Sequence, residues 1–215
     1  AAETFVLLKN ENNILPLKKE GKVALIGPLA DTRNNIAGTW SVAQVPEKYT
    51  TLKEAMQQAL KGKAELLYAQ GSNIWRDAQL QKNGEFDKPM QRGDNELLKA
   101  EAIKVAKDAD IIVCAMGESA DMSGECGSRT NLEMPDVQHE LLAELVKLGK
   151  PVVLLNFSGR PTVLTWEKEH VPAIMNVWFG GSEVGDAICD VLFGDKVPSG
   201  KLTTSLPKTT GQEPP

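Results

Sequence analysis

Short apolar runs alternate with segments of helical periodicity along almost the whole chain. The runs typical of buried strands lie at 22–27, 65–69, 111–116, 151–157 and 173–178, with a last one near 202–205. Segments with a helical apolar face lie near 51–61, 94–107, 135–148, 162–169 and 184–193. Such alternation predicts an α/β fold, a three-layer sandwich in which a mostly parallel sheet of about five to six strands carries helices on both faces.

Length and composition favour a single α/β domain over residues 1–215, large enough to bury a substantial core. The net charge of −5, without any Lys/Arg-rich run, argues against a nucleic-acid partner. No apolar run approaches the roughly 18 residues that a membrane span needs. Cys114 and Cys189 lie in apolar runs and are expected in the core. The two histidines are far from any cysteine, so no metal site is expected. No cofactor is expected either.

Three stretches fit the alternation poorly. Residues 3–10 are interpreted as the end of a helix that belongs to something upstream. Residues 70–94 lack periodicity, and so long an irregular segment is usually functional or mobile. The opening at Ala1 and the ending at Pro214-Pro215 suggest cuts between elements, so the compartment is not readable from the residues themselves.

The loops that follow the predicted strands carry most of the reactive side chains. In open α/β sheets, ligands bind beyond the carboxyl ends of the strands, so these side chains should gather on one edge. Carboxylates there suit proton transfer, an arginine can hold polar groups, and an indole can be a platform for a ring-shaped ligand. A solvated acidic loop, a packed tryptophan and a bracing arginine are the structural alternatives. The candidate residues are Asp31, Trp40, Glu118, Asp121, Glu125, Arg129, Arg160 and Glu183.

An ordered set of short motifs resembles the second, α/β-sandwich domain of family 3 glycoside hydrolases of the bacterial β-glucosidase type. Each motif is weak alone, but together they cover nearly the whole chain in order. The matching segments are Val6-Leu7-Leu8-Lys9-Asn10 with Ile14-Leu15-Pro16-Leu17, 22–28, Gly38-Thr39-Trp40-Ser41, 117–129, Ser158-Gly159-Arg160-Pro161, 178–183, 191–195 and Pro198-Ser199-Gly200-Lys201-Leu202.

The resemblance implies a retaining, exo-acting β-glucosidase that hydrolyses terminal β-D-glucosyl residues. It implies that an aspartate nucleophile lies on an N-terminal (β/α)8 barrel outside this chain, and that this domain supplies a general acid/base glutamate. Glu125 matches the acid/base of relatives with a Glu-Gly-x-Asp-Arg loop, whereas Glu118 matches relatives with a Gly-Glu strand end; Glu125 is favoured. Trp40 resembles the aromatic that some members place over the sugar beyond the scissile bond. Arg129, Asp31 and Arg160, on the strand-end loops, are the other predicted substrate contacts.

The resemblance also implies partners and location. The substrate would be a β-linked gluco-oligosaccharide or an aryl glucoside, the domain would pack on the barrel of its own enzyme, and the enzyme would be periplasmic or secreted. Without the barrel, this chain alone should be inactive. Two alternatives remain: a non-catalytic carbohydrate-binding or structural module, and a flavodoxin-like effector-binding domain, which the absence of a phosphate-binding loop motif disfavours.

Overall fold

A computed structural model describes residues 1–41, 43–83 and 90–212. Within them, six strands form one sheet in the order β1-β6-β5-β4-β2-β3. Neighbours from β6 to β3 are parallel, whereas β1 pairs antiparallel with β6. The predicted mostly parallel α/β sheet is therefore confirmed. The strands are β1 (Val6–Asn10), β2 (Lys22–Ile26), β3 (Glu65–Ala69), β4 (Ile111–Gly117), β5 (Val152–Phe157) and β6 (Ala173–Asn176).

Helices cover both faces of this sheet, and two begin where the sequence predicts a cap. Thr51 accepts from the backbone N–H of Glu54, whose side chain accepts from the backbone N–H of Thr51 in a capping box. Asp94 accepts from two backbone N–H groups at the start of its helix. The helices are α1 (Leu52–Leu60), α2 (Ala78–Asn83), α3 (Asn95–Asp108), α4 (Asp136–Val146), α5 (Thr165–His170) and α6 (Val184–Leu192).

Two apolar cores, one on each face of the sheet, make the molecule three-layered. Alternate strand residues point to opposite faces: Val113 and Ala115 join the core beneath α1 and α6, and Ile112 and Cys114 join the core beneath α3, α4 and α5. Cys114 is buried in this second core, as expected, and Cys189 is buried in the first. β4 is thus buried on both faces, which explains its continuous apolar sequence.

Three expectations from the sequence are wrong. Residues 6–10 form the edge strand β1 and not the end of a helix, because they pair with β6. Residues 202–205 form no strand and are exposed. The segment 70–94 contains α2, so it is not irregular throughout, and its residues 84–89 lie outside the described part. Among the described residues, none of the helices combines the length and the apolar character that crossing a bilayer would require.

Candidate active site

The carboxyl ends of the parallel strands bring the candidate loops to one edge of the sheet. The loops after β2, β4 and β5 are neighbours there because these strands are adjacent. Gly117 ends β4 with φ of +129°, and a side chain at this position would lie 2.1 Å from the carbonyl oxygen of Phe157. The glycine therefore lets two strand ends approach closely, and the next backbone N–H, that of Glu118, donates to the same Phe157 oxygen at 2.8 Å.

Glu118 is the centre of a buried ion-pair cluster. Only 1% of its surface is exposed. Arg129 Nη1 donates to its Oε1 at 2.7 Å, and Arg160 Nε lies 3.1 Å from the same oxygen. The backbone N–H of Gly159 donates to Oε2 at 3.2 Å. A buried carboxylate with two guanidinium partners and a backbone donor is satisfied within the protein, so Glu118 fixes the base of the loop.

Arg160 joins the two limbs of the loop that contains Glu125. Its Nη2 donates to the carbonyl of Met122 on the incoming limb and to that of Gly127 on the outgoing limb, the latter at 2.6 Å. One planar guanidinium therefore contacts both limbs and Glu118 at once, which a lysine could not do with the same geometry. Arg160 is a brace for the loop, one of the two interpretations that the sequence left open.

The loop after β2 supports the same loop from its other side. Asn35, which is buried, accepts from the backbone N–H of Ala120 at 2.9 Å. The Thr39 hydroxyl lies within hydrogen-bonding distance of the carbonyls of Ala120 and Ser123. Trp40 follows directly and is 68% exposed. The prediction that the Trp40 loop and the 118–129 loop lie on the same edge of the sheet is therefore confirmed.

The tip of the 118–129 loop is its accessible part. Gly124, Glu125 and Cys126 are exposed, and Cys126 adopts the left-handed region at φ of +62°. The tip closes with a hydrogen bond of 3.1 Å from the backbone N–H of Gly127 to the carbonyl of Gly124. Asp121 is only 4% exposed. Of the three carboxylates in residues 118–129, Glu125 is thus the one that an external molecule can reach.

Asp31 lies apart from this cluster. Its carboxylate accepts from Lys53 Nζ at 2.8 Å, and it borders a separate recess with Tyr68 on the β3 side. Burial, followed by the negative charge of Asp31, raises the pKa of Tyr68 to about 12. The structure brings Glu118, Arg129 and Arg160 into direct contact and places Trp40 beside their loop, but it does not bring Asp31 into that group.

Several residues that hold the loops of the site in place are not among the candidates predicted from the sequence. Gln138 on α4 is fully buried and accepts from the N–H of Gly117 at 2.8 Å. Its amide donates to the carbonyls of Gly117 and Ile74, so it holds the end of β4 against the segment after β3. Asn35 and Thr39 give no signal in the sequence, because they are polar residues in a polar loop. A buried glutamine on the apolar face of a predicted helix was the one available signal, since buried polar groups need partners.

Comparison with known proteins gives a consistent picture. The family description "Glycosyl hydrolase family 3 C-terminal domain" matches residues 5–215. A periplasmic beta-glucosidase of Salmonella typhimurium is 43% identical over the whole chain, which covers 28% of that relative. A beta-xylosidase of Formosa agariphila is 34% identical over the whole chain, again 28% of the relative.

Solved structures agree with these relatives. The beta-glucosidase from Listeria innocua in complex with glucose superposes with a TM-score of 0.82 at 31% identity. The alignment covers 99% of this chain and 26% of that one. The chain therefore spans about a quarter of the length of these relatives.

Proposed function

The chain belongs to the glycosyl hydrolase family 3 C-terminal domain family, and we propose that it supplies the acid/base half of a retaining, exo-acting β-glucosidase active site. The catalytic residue in this proposal is Glu125. The observation that carries the assignment is the contrast between an exposed Glu125 on a braced loop and a buried Glu118 already bound to two arginines.

The chemistry assigned to Glu125 is proton transfer in both steps of a double displacement. It donates a proton to the glycosidic oxygen as the bond breaks and then removes one from the water that releases the sugar. The nucleophile of this scheme is an aspartate on a (β/α)8 barrel that packs against the strand-end edge of this domain. Retaining enzymes hold the two carboxyl groups about 5–5.5 Å apart, so the position of the loop has to be well defined.

The arginines act as positioning residues in this proposal, not as substrate contacts. The guanidinium groups of Arg129 and Arg160 are engaged with Glu118 and with backbone carbonyls. Trp40 keeps its proposed role as a platform for a sugar ring, and its exposure beside the loop supports that role. Asp31 is paired with Lys53, so its proposed substrate contact would have to be made beside this ion pair.

The proposed substrate is a β-linked gluco-oligosaccharide or an aryl β-glucoside with a terminal glucosyl residue. A β-glucosidase is the more similar of the two relatives described above, at 43% against 34% for the β-xylosidase. Relative hydrolysis of aryl β-glucosides and aryl β-xylosides by the complete enzyme tests this choice. A periplasmic location is proposed on the same likeness to the Salmonella protein.

Azide rescue of Glu125→Ala in the complete enzyme tests the acid/base assignment. Loss of a general acid/base costs about 10²–10⁴-fold, and the loss should be far greater for cellobiose than for a dinitrophenyl glucoside, whose leaving group needs no proton. Azide needs no base, so it should accelerate turnover and yield β-glucosyl azide. Glu118→Ala serves as the matched variant and should give no azide product.

Two outcomes would count against this scheme. Azide rescue of Glu118→Ala alone would exchange the two roles, and rescue of neither variant would move the proton donor outside this loop. Clear hydrolysis of an aryl glucoside by the 215-residue chain alone would contradict a nucleophile on another domain. An inactive complete enzyme that still binds cellobiose would favour a carbohydrate-binding module, and nucleotide binding would favour an effector-binding domain.

A further inference from the structure

A cleft on the side of α4 and α5 is not used by the proposed chemistry. It has a volume of about 580 Å³ and lies between these helices, the segment 131–134 and the Lys208-Thr209 stretch. Trp75, from the segment after β3, closes one side. Pockets for small molecules typically have about 300–1,000 Å³, so the cleft has room for one or two sugar rings.

Two indole rings in the cleft are held in fixed orientations. Trp166 stacks on His170, with ring centroids 4.4 Å apart and planes at 12°, and meets the His139 ring edge-on at 4.7 Å. The guanidinium carbon of Arg129 lies 5.2 Å from the centroid of the Trp75 ring. Both indoles are only partly exposed. A ring whose orientation is already fixed loses little conformational entropy when a ligand packs against it.

The charges in the cleft disfavour an anion. Four carboxylates border it, those of Glu133, Asp136, Glu167 and Glu169, against a single lysine, Lys208. Two of the four already have partners: Glu167 lies 3.3 Å from His139 Nδ1, and Asp136 lies 3.8 Å from the Nε atom of Arg76. The cleft therefore keeps an excess of negative charge, and its carboxylates offer hydrogen-bond acceptors.

We propose that this cleft binds a neutral mono- or disaccharide. The apolar face of a pyranose ring packs against an indole, and its hydroxyls donate to carboxylate oxygens; the cleft offers both kinds of group side by side. The inference goes beyond the proposed acid/base function and does not depend on which glutamate is the acid. It needs only the residues that border the cleft.

The cleft is also connected with the base of the loop. Trp75 and Glu133 both border the cleft and both contact Arg129, Trp75 through its ring and Glu133 by accepting from Nη2 through its carbonyl at 2.8 Å. Arg129 in turn binds Glu118. A sugar in the cleft would therefore lie against residues that hold the ion-pair cluster.

Titration of the 215-residue chain with cellobiose and with methyl β-D-glucopyranoside, followed by tryptophan fluorescence and by calorimetry, tests the proposal. We expect saturable binding with a dissociation constant on the order of 1 mM, weakened about tenfold or more by Trp166→Ala. Trp178→Phe is the matched control, because Trp178 does not border the cleft and has no role in the proposed active site, and it should leave binding at the cleft unchanged.

Trp166 also packs against the core, so a second variant keeps the test independent of folding. Thr165 borders the cleft and is exposed, and Thr165→Phe should narrow the cleft and weaken sugar binding without removing a core side chain. The absence of saturable binding by either sugar overturns the proposal. So does loss of the signal in Trp178→Phe, or saturable binding of methylammonium with no response to sugar, which would make the cleft a cation site.

Discussion

Replacement of Arg160 by methionine should release the proposed acid/base loop while leaving its sequence intact. Methionine keeps most of the side-chain length but cannot donate hydrogen bonds. The change removes the bonds to the carbonyls of Met122 and Gly127 and the ion pair with Glu118. The two limbs on either side of Glu125 then lose the group that connects them.

The expected loss of stability depends on which contacts the partners of Arg160 retain after the substitution. A hydrogen bond to a charged group is worth about 1.5–3 kcal/mol, and removal of one partner from a buried ion pair costs about 3–5 kcal/mol. Glu118 retains Arg129 and the Gly159 N–H, so the lower part of these ranges applies. We expect unfolding in urea to show a loss of about 3 kcal/mol, which a domain of ordinary stability survives.

Activity should fall because Glu125 occupies its productive position for less of the time. A misplacement of about 1 Å can cost about 100-fold, so we expect a loss of about 10- to 100-fold in kcat for cellobiose in the complete enzyme. A dinitrophenyl glucoside should be much less affected. If Arg160 acts only through Glu125, then Arg160→Met in the Glu125→Ala background should change the rate by less than about twofold.

Arg33→Met is the matched control for this experiment. Arg33 also follows β2 at the same edge, but its partner is Glu54 at the start of α1 and not the loop. Arg33→Met should lower the free energy of unfolding and kcat only slightly, and its effect on kcat should not depend on the leaving group. Full additivity of Arg160→Met and Glu125→Ala, or equal losses with both substrates, would refute a positioning role for Arg160.

Three further predictions concern other parts of the molecule. The pKa of His139 is raised, chiefly by the hydrogen bond to Glu167, although partial burial opposes the shift. The stability that this pair adds, relative to His139→Gln, should therefore be fully present below about pH 6.5 and should disappear as the pH rises through the raised pKa. Urea unfolding of both proteins across that pH range measures the difference. Gly117→Ala should cost more than about 3 kcal/mol or prevent folding, because its methyl group would meet the Phe157 oxygen at a positive φ; circular dichroism of the purified variant checks this, and native stability would contradict it. Trp40→Ala should raise KM for cellobiose more than for an aryl glucoside if the indole carries the second sugar ring, and equal KM changes would remove that role.

The sequence predicts the parallel strands well because their signal is local. The runs of β2 to β6 are short, apolar and separated by helical segments whose caps, such as Thr51 and Asp94, are visible in the residues themselves. β1 is also a short apolar run, but its conformation depends on pairing with β6, more than 160 residues later in the chain. Periodicity alone could not separate this edge strand from the end of a helix.

The site is less predictable because its decisive contacts are distant in sequence. The family resemblance left Glu118 and Glu125 in conflict, since two loop patterns of the relatives place the acid/base at different residues of the same acidic loop. The difference between them comes from Arg160, which follows another strand, and from Asn35 and Thr39, which follow a third. No pattern within residues 118–129 indicates which carboxylate these groups will bury.

The division between a fixed base and an exposed tip has a physical reason if the active site is shared between two domains. A proton donor contributes only when it is held close to the productive geometry, within about 0.5 Å in well-built sites. An acid exposed at a domain surface cannot obtain that precision from its own side-chain contacts, because they would block access to the substrate. Here the precision comes from Glu118, which anchors the loop out of reach of solvent, and from Arg160, which holds both limbs. The loop geometry is then established when the domain folds, so docking of a barrel would not have to order the loop. The docking free energy would therefore not be reduced by a loss of conformational entropy in the loop.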